Sequence, residues 1–372
     1  MKIAKFLLLL ALGANAGVTT CPHEPAANFE VVGCAETAQA RKPIEGRRFA
    51  ICLSAPQTKD VDRFCTFVKN RLAKDGFDTV VLLTRYRYAF KSHPECAGGD
   101  PLSEADVKKI LAACRASRIQ LIPKMNLLGH QDKVPTCLLK AHPDMDESCG
   151  NPKIAHDYCR SICPRHPQSF KLVCDLMDEM TTAFESKAIH IGCDEVFEIG
   201  KCPRCKDTPT GKLFADWVNG IKRHNDARHI QTMMWGDRLL DSKKVGYGVW
   251  EASNNGTFEA LKLVDKDLVI CDWHYEVCKA YPSVDVFSEA RFNFWICPWR
   301  YARNAKLFLD YANAHEKGQA IGLMLTTWCG FADYADAVEG KFSPNALKDP
   351  KKTLTSLGET YHTFVNARKA LR

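Results

Sequence analysis

Three features are missing from the 372-residue sequence. Past its first sixteen residues no apolar run approaches the roughly 20 residues needed to span a bilayer, so a later transmembrane helix is excluded and no membrane partner is expected. Lysine and arginine are spread along the chain, and with a net charge of only +7 they form no basic stripe, so no nucleic-acid partner is expected. No glycine-rich phosphate loop follows the first strand-like run, which speaks against a doubly wound nucleotide-binding sheet. Low-complexity tracts are also lacking. A chain that is 46% hydrophobic and 26% charged is an ordinary globular composition, long enough for one large α/β barrel or two smaller domains.

What is present begins at the N-terminus. Lys2 and Lys5 precede "FLLLLALGANAG", and Ala14-Asn15-Ala16 follows the small-x-small rule. A basic region, a short apolar core and that cleavage pattern predict a signal peptide over residues 1–16. The mature protein is then expected to be soluble and exported, either secreted or in a lumen or periplasm. Residues 17–47 read as an irregular N-terminal extension containing Cys and Pro. Eighteen cysteines all lie beyond the cleavage point, and an even number in an oxidising compartment predicts mostly disulfide bonds, of unspecified connectivity. Two short-spaced pairs, Cys159-x-x-x-Cys163 and Cys202-Pro-Arg-Cys205, offer a zinc site as the alternative. Asn255-Gly-Thr257 is a glycosylation sequon.

From residue 48 a regular alternation sets in. Eight near-continuous apolar runs, at 48–55, 78–86, 119–126, 188–195, 230–237, 268–275, 292–299 and 321–328, suit parallel strands covered on both faces. Helical patterns fill the gaps. Val61, Phe64, Cys65, Val68 and Leu72 share one face until Gly76; Ser103 and Asp106 form a capping box ahead of Val107, Ile110, Leu111 and Cys114; residues 302–317 and 353–371 read similarly. Eight such units over 48–372 predict a (β/α)8 TIM barrel, an α/β fold. Two long connections, from Asn126 to about 165 and from 238 to 262, follow strands and so belong to the C-terminal face, where barrels carry their sites.

Polar and aromatic residues gather at the predicted strand ends: Arg85 to Tyr88, Asn126, His130, Asp194, Glu195, Trp235, Asp237, Trp273 to Glu276, Trp299 and Trp328. Aromatic walls with carboxylates and an arginine suit a sugar, whose C–H faces stack on rings while its hydroxyls take charged partners. Each has a plainer reading: Arg85 neutralising an acid, His130 shaping its loop, His190 a satisfied interior histidine supporting Asp194 or Glu195. Side-by-side acids are the sharper clue. A retaining glycosidase with a protein nucleophile sets its two carboxyls about 5–5.5 Å apart across the scissile bond. Neighbours on one strand end do not easily straddle a sugar in that way. They suit a reaction in which the sugar's own 2-acetamido group attacks, one acid orienting it and the other giving and taking the proton.

"HIGCDEV" (190–196) resembles the His-x-Gly-x-Asp-Glu signature of glycoside hydrolase family 20, the β-N-acetylhexosaminidases. The chain is most similar to the hexosaminidase D-like branch, and the likeness extends through "PKMNLLGHQ", "MMWGDRLL", "DWHYE" and "TTW". The resemblance implies that Glu195 is the general acid/base and Asp194 the partner of the acetamido nitrogen. It implies that Arg85, or else Arg87, grips ring hydroxyls, and that His130 hydrogen-bonds near the acid. Trp235, Trp273 and Trp328 would line the pocket and Tyr275 would hold the acetamido oxygen. Where the family often has Trp-x-Glu on its last strand, Cys329 and Gly330 follow Trp328 here, so that Glu276 or Asp333 becomes the stand-in for outer hydroxyls. The activity so implied is exo-hydrolysis of a carbohydrate ending in N-acetylglucosamine or N-acetylgalactosamine, with no organic cofactor and no catalytic metal. The rivals are a catalytically weak barrel that binds N-acetyl sugars, and a metal-dependent hydrolase built on His190, Asp194 and nearby cysteines.

Overall fold

A computed structural model describes residues 47–131, 138–151, 153, 159–341 and 352–370. The expectations of a signal peptide and of an extension fall outside these residues, except at Arg47, whose guanidinium pairs with Glu316 at 3.1 Å.

All eight expected strands form: β1 Arg48–Ser54, β2 Thr79–Leu83, β3 Gln120–Lys124, β4 Ala188–His190, β5 Gln231–Trp235, β6 Val269–Trp273, β7 Asn293–Cys297 and β8 Ala320–Leu325. They close in chain order, every pairing parallel, with β8 back against β1 through Phe49 opposite Leu323. The open-sheet alternative is thereby excluded. Around the barrel run α1 Val61–Phe67, α2 Glu104–Ala116, α3 Leu138–Ala141, α4 Ser169–Ala183, α5 Thr210–Asp226, α6 Ser242–Val245, α7 Pro282–Glu289, α8 Ala302–His315, α9 Phe331–Glu339 and α10 Lys352–Ala370.

The pleat explains why each strand reads as continuously apolar. Alternate residues point inward and outward. Ala50, Cys52, Val81, Leu83, Met233, Trp235, Cys271 and Trp295 fill the barrel, while Phe49, Ile51, Leu53, Val80, Leu82, Met234 and Ile270 meet the helices. The Ser103 cap forms as expected, its hydroxyl accepting from the Asp106 amide at 3.2 Å while Asp106 accepts from the Ser103 amide at 3.0 Å. α1 continues as one wider turn over Val68–Leu72, and Gly76 ends it with φ 84°. No helix among the described residues is long and apolar enough to cross a membrane.

One expectation about covalent chemistry needs correction. Cys278 is disulfide-bonded, but most described cysteines are thiols. Cys52, Cys271 and Cys297 sit inside the barrel and Cys114 and Cys174 under the helices, so they act as small apolar side chains. The sequon asparagine is also occupied. The Asn255 amide nitrogen donates to the carbonyls of Val196 (2.9 Å) and Phe197 (3.3 Å), and Thr257 is fully buried. The segment pins the turn after β4.

Candidate active site

β4 pairs as a strand only through His190. Beyond it Gly192, Cys193 and Glu195 take φ of 74°, 66° and 49°, so the strand ends five residues before the apolar pattern suggests. A side chain at Gly192 would put its Cβ 2.8 Å from the Met125 carbonyl oxygen, and one at Gly129 would reach the Asp194 carbonyl oxygen at 2.9 Å. Both positions need glycine because the loop after β3 lies directly on this turn. Left-handed backbone at a residue such as Glu195 costs of order 1 kcal/mol or more and persists only where neighbours impose it. Here they do. The Glu195 amide donates to Asp237 Oδ2 at 2.9 Å. Asp237 accepts from Arg238 Nε at 2.7 Å and from Trp273 Nε1 at 3.2 Å. Arg238, fully buried, also donates to the carbonyls of Val249, Trp250 and Ala252. Burial pushes the Asp237 carboxyl above its ordinary value, Arg238 draws it back, and the charge on Asp194 adds to the rise.

The two adjacent acids meet at one imidazole. His130 Nε2 lies 3.0 Å from Asp194 Oδ2 and 3.3 Å from Glu195 Oε2. The Asp194 contact is a hydrogen bond, and the Glu195 oxygen lies within ion-pair reach of the same nitrogen. The Asp194 and Glu195 side chains are only 11% and 14% exposed. The Cys159 thiol donates to Glu195 Oε2 at 3.5 Å. Cys159 is therefore at the acid and not beside Cys163, which corrects the four-cysteine zinc alternative. Asp237 and Cys159 are the contacts that sequence reasoning missed. Asp237 is visible at a strand end, but nothing in the sequence says that its partner is an amide on another strand.

The two arginines differ in their contacts. Arg87 is spent on the loop, donating to the carbonyls of Ala55 and Pro56, both at 2.9 Å, and to Asp100 at 3.0 Å. Arg85 turns toward the acids. Burial lowers its pKa, and the opposing influence of Asp194 is the next in size. Its Nε is buried with no hydrogen-bond partner among the described residues, so donor capacity is left for a ligand.

The aromatic residues divide into floor and walls. Trp235 is completely buried, its ring 4.4 Å from that of His190 and 5.8 Å from that of Trp328, and Lys124 Nζ stands over it at 5.4 Å. Above this floor the Trp273 and Tyr275 rings lie tilted against each other at 4.8 Å, and Trp328 Nε1 donates to the Tyr275 hydroxyl at 2.9 Å. Burial holds that phenol well above its ordinary pKa, against the pull of Thr326 and Trp328, so it remains a donor. His190 accepts from the Gly192 amide at 3.1 Å, and burial with Lys124 nearby keeps it neutral. Its support thus goes to Gly192 and not directly to either acid. Glu276 sits half-exposed at the rim with Arg300 at 2.8 Å, while Asp333 is exposed in the first turn of α9.

His274, behind these walls, carries a pH prediction. Burial draws its pKa down, but Asp272 at 3.0 Å and Glu251 at 2.8 Å outweigh it and hold the imidazole up at about 9. A folded value above the ordinary 6.5 means the contribution is complete below that pH and is lost as the pH rises through about 9. The loss is of order 3 kcal/mol. Thermal unfolding midpoints should fall across that window in the native chain and much less in His274→Gln.

The family model for the catalytic domain of glycosyl hydrolase family 20 matches residues 77–347, nearly three-quarters of the chain. A β-hexosaminidase of Akkermansia muciniphila is 27% identical over 32% of this chain and 25% of its own length. The hexosaminidase D of Bos taurus is 24% identical over 37% of this chain and 40% of its own. The match thus spans less than half of either relative. In three dimensions the Flavobacterium johnsoniae chitobiase superposes with a TM-score of 0.59 at 16% identity, over 87% of this chain and 52% of that one, a likeness of fold. With its closed parallel barrel and its Asp-Glu pair at the end of β4, the chain belongs to glycosyl hydrolase family 20.

Proposed function

We propose that this protein is an exported exo-β-N-acetylhexosaminidase that retains anomeric configuration by using the substrate's own 2-acetamido group as nucleophile. The observation carrying this reading is that His130 Nε2 lies 3.0 Å from Asp194 and 3.3 Å from Glu195, which supports both acids acting from one side of the sugar. Neither is then positioned as a nucleophile opposite the other. In the first step Glu195 protonates the glycosidic oxygen as the acetamido carbonyl oxygen attacks the anomeric carbon, and the Asp194 carboxylate accepts from the acetamido N–H and offsets its growing positive charge. Glu195 then takes a proton from the water that opens the cyclic intermediate. Arg85 donates to ring hydroxyls, Tyr275 donates to the acetamido oxygen, and Trp273 and Trp328 enclose the ring above Trp235. Glu276, with Arg300, meets an outer hydroxyl at the rim. Export rests on the basic and apolar N-terminal stretch.

The test is a panel of aryl glycosides with and without a thiazoline that mimics the cyclic intermediate. Aryl N-acetylglucosaminides or N-acetylgalactosaminides should turn over, plain aryl glucosides should not, and the thiazoline should bind at least about 100-fold tighter than substrate. Equal turnover of glycosides lacking the acetamido group would refute the mechanism. Binding of N-acetyl sugars without turnover would leave a sugar-binding barrel instead.

A further inference from the structure

We propose that Glu147, Cys163, Cys202 and Cys205 hold one structural zinc ion that fastens the loop after β3 to the loop after β4. All four are buried, and one ligand atom from each lies within 4.8 Å of all the others. Cys163 Sγ is 3.4 Å from Cys202 Sγ and 3.6 Å from Cys205 Sγ. Tetrahedral zinc with bonds near 2.3 Å places its sulfurs roughly 3.8 Å apart, whereas a disulfide needs about 2.05 Å. One sulfur at like distance from two others suits a shared ion better than a bridge that would strand the third.

The fourth ligand is a carboxylate. Glu147 Oε1 accepts from the amides of Lys201 (2.7 Å) and Cys202 (3.3 Å), which fixes the side chain against the loop after β4. Its Oε2 is buried with no hydrogen-bond partner among the described residues. A carboxylate oxygen left bare in the interior is costly unless a cation meets it. The backbone is built for the same purpose. The amides of Cys205 and Lys206 both donate to the Cys202 carbonyl at 3.0 Å, so the Cys-Pro-Arg-Cys turn folds tightly under its two thiols. Across from it the Glu147 amide donates to Ser161 and the Cys163 amide to Met145, which set those two ligands side by side. Three thiolates select a soft or borderline ion over calcium or magnesium, and four protein ligands leave no position open for substrate.

The ion would also brace the acid site indirectly. The strip carrying Cys163 donates from Ile162 to the Leu128 carbonyl, and its Arg160 carbonyl accepts from Gln131, on either side of His130.

Two native samples test this: one purified without chelator, the other reduced, exposed to zinc chloride and desalted. Elemental analysis should find about one zinc per chain in both, and peptide mapping should show Cys163, Cys202 and Cys205 unbridged. In competition with a chromophoric chelator, Glu147→Gln and Cys202→Ser should lose at least roughly 10-fold in zinc affinity, while Cys174→Ser should match the native chain. Should those variants fail to fold, cobalt loading of the native chain should still give a thiolate charge-transfer band. No zinc retained by either native sample, or a disulfide joining any two of the three cysteines, overturns the proposal. Metal content is read without substrate, so the hydrolase reading stands or falls separately.

Discussion

Glu195→Gln should lower kcat on a nitrophenyl N-acetylglucosaminide by about 10²–10⁴-fold, the usual worth of a positioned acid/base. Glutamine matches the shape of the side chain and keeps an oxygen for His130 and Cys159, so folding should survive and KM should change little. What it cannot do is give a proton to the leaving oxygen and later take one from water. The nature of the leaving group separates the two steps. A dinitrophenyl group departs without protonation, so the first step should recover and the loss should move to the second. Unaltered kcat on the poorer leaving group, in a variant whose unfolding midpoint matches the native chain, would remove Glu195 from the reaction.

Asp194→Asn should have the next largest effect, about 10²–10³-fold on acetamido substrates, the scale found when one preorganised stabilising group is removed. The carboxylate is buried beside His130 and within the field of Arg85. Its replacement removes the anion that Arg85 faces, as well as the acceptor for the acetamido N–H. A fluorinated substrate with a weakly basic carbonyl should amplify the deficit if the acetamido oxygen is the nucleophile. An equal loss on activated glycosides lacking the acetamido group would instead assign Asp194 a general electrostatic role.

His130 ties these two expectations together. Because its Nε2 lies against both acids, changing either alters the contact available to the other. The effects of Glu195→Gln and Asp194→Asn are therefore not expected to add, since residues acting through a shared partner rarely do.

The strand pattern was legible because barrel strands advertise themselves locally. Residues such as Ile51 and Cys52 are both apolar for different reasons, one meeting helices and the other the interior, and the eight-fold repeat of that pattern limits the topology. Strand ends were less legible. Arg85 and Glu195 lie in runs that still read as strand, yet both take left-handed backbone imposed by the neighbouring loop. The cysteines were misjudged in part because composition and compartment suggested bridges, while the folded barrel buries thiols such as Cys52 and Cys174 as ordinary core atoms.

By itself the sequence determined the repeat of eight strands and helices, the capping of α2, and the placing of Asp194 and Glu195 together at one strand end, because period and adjacency are properties of the chain. Only the tertiary structure decided that Arg85 and not Arg87 faces the acids, that Asp237 holds the Glu195 amide, and that Cys159 goes to the acid while Cys163 joins the Cys-Pro-Arg-Cys turn. Those contacts join residues dozens of positions apart. They exist because barrel closure and the strand register bring separate loops to one rim, and no local pattern encodes that meeting.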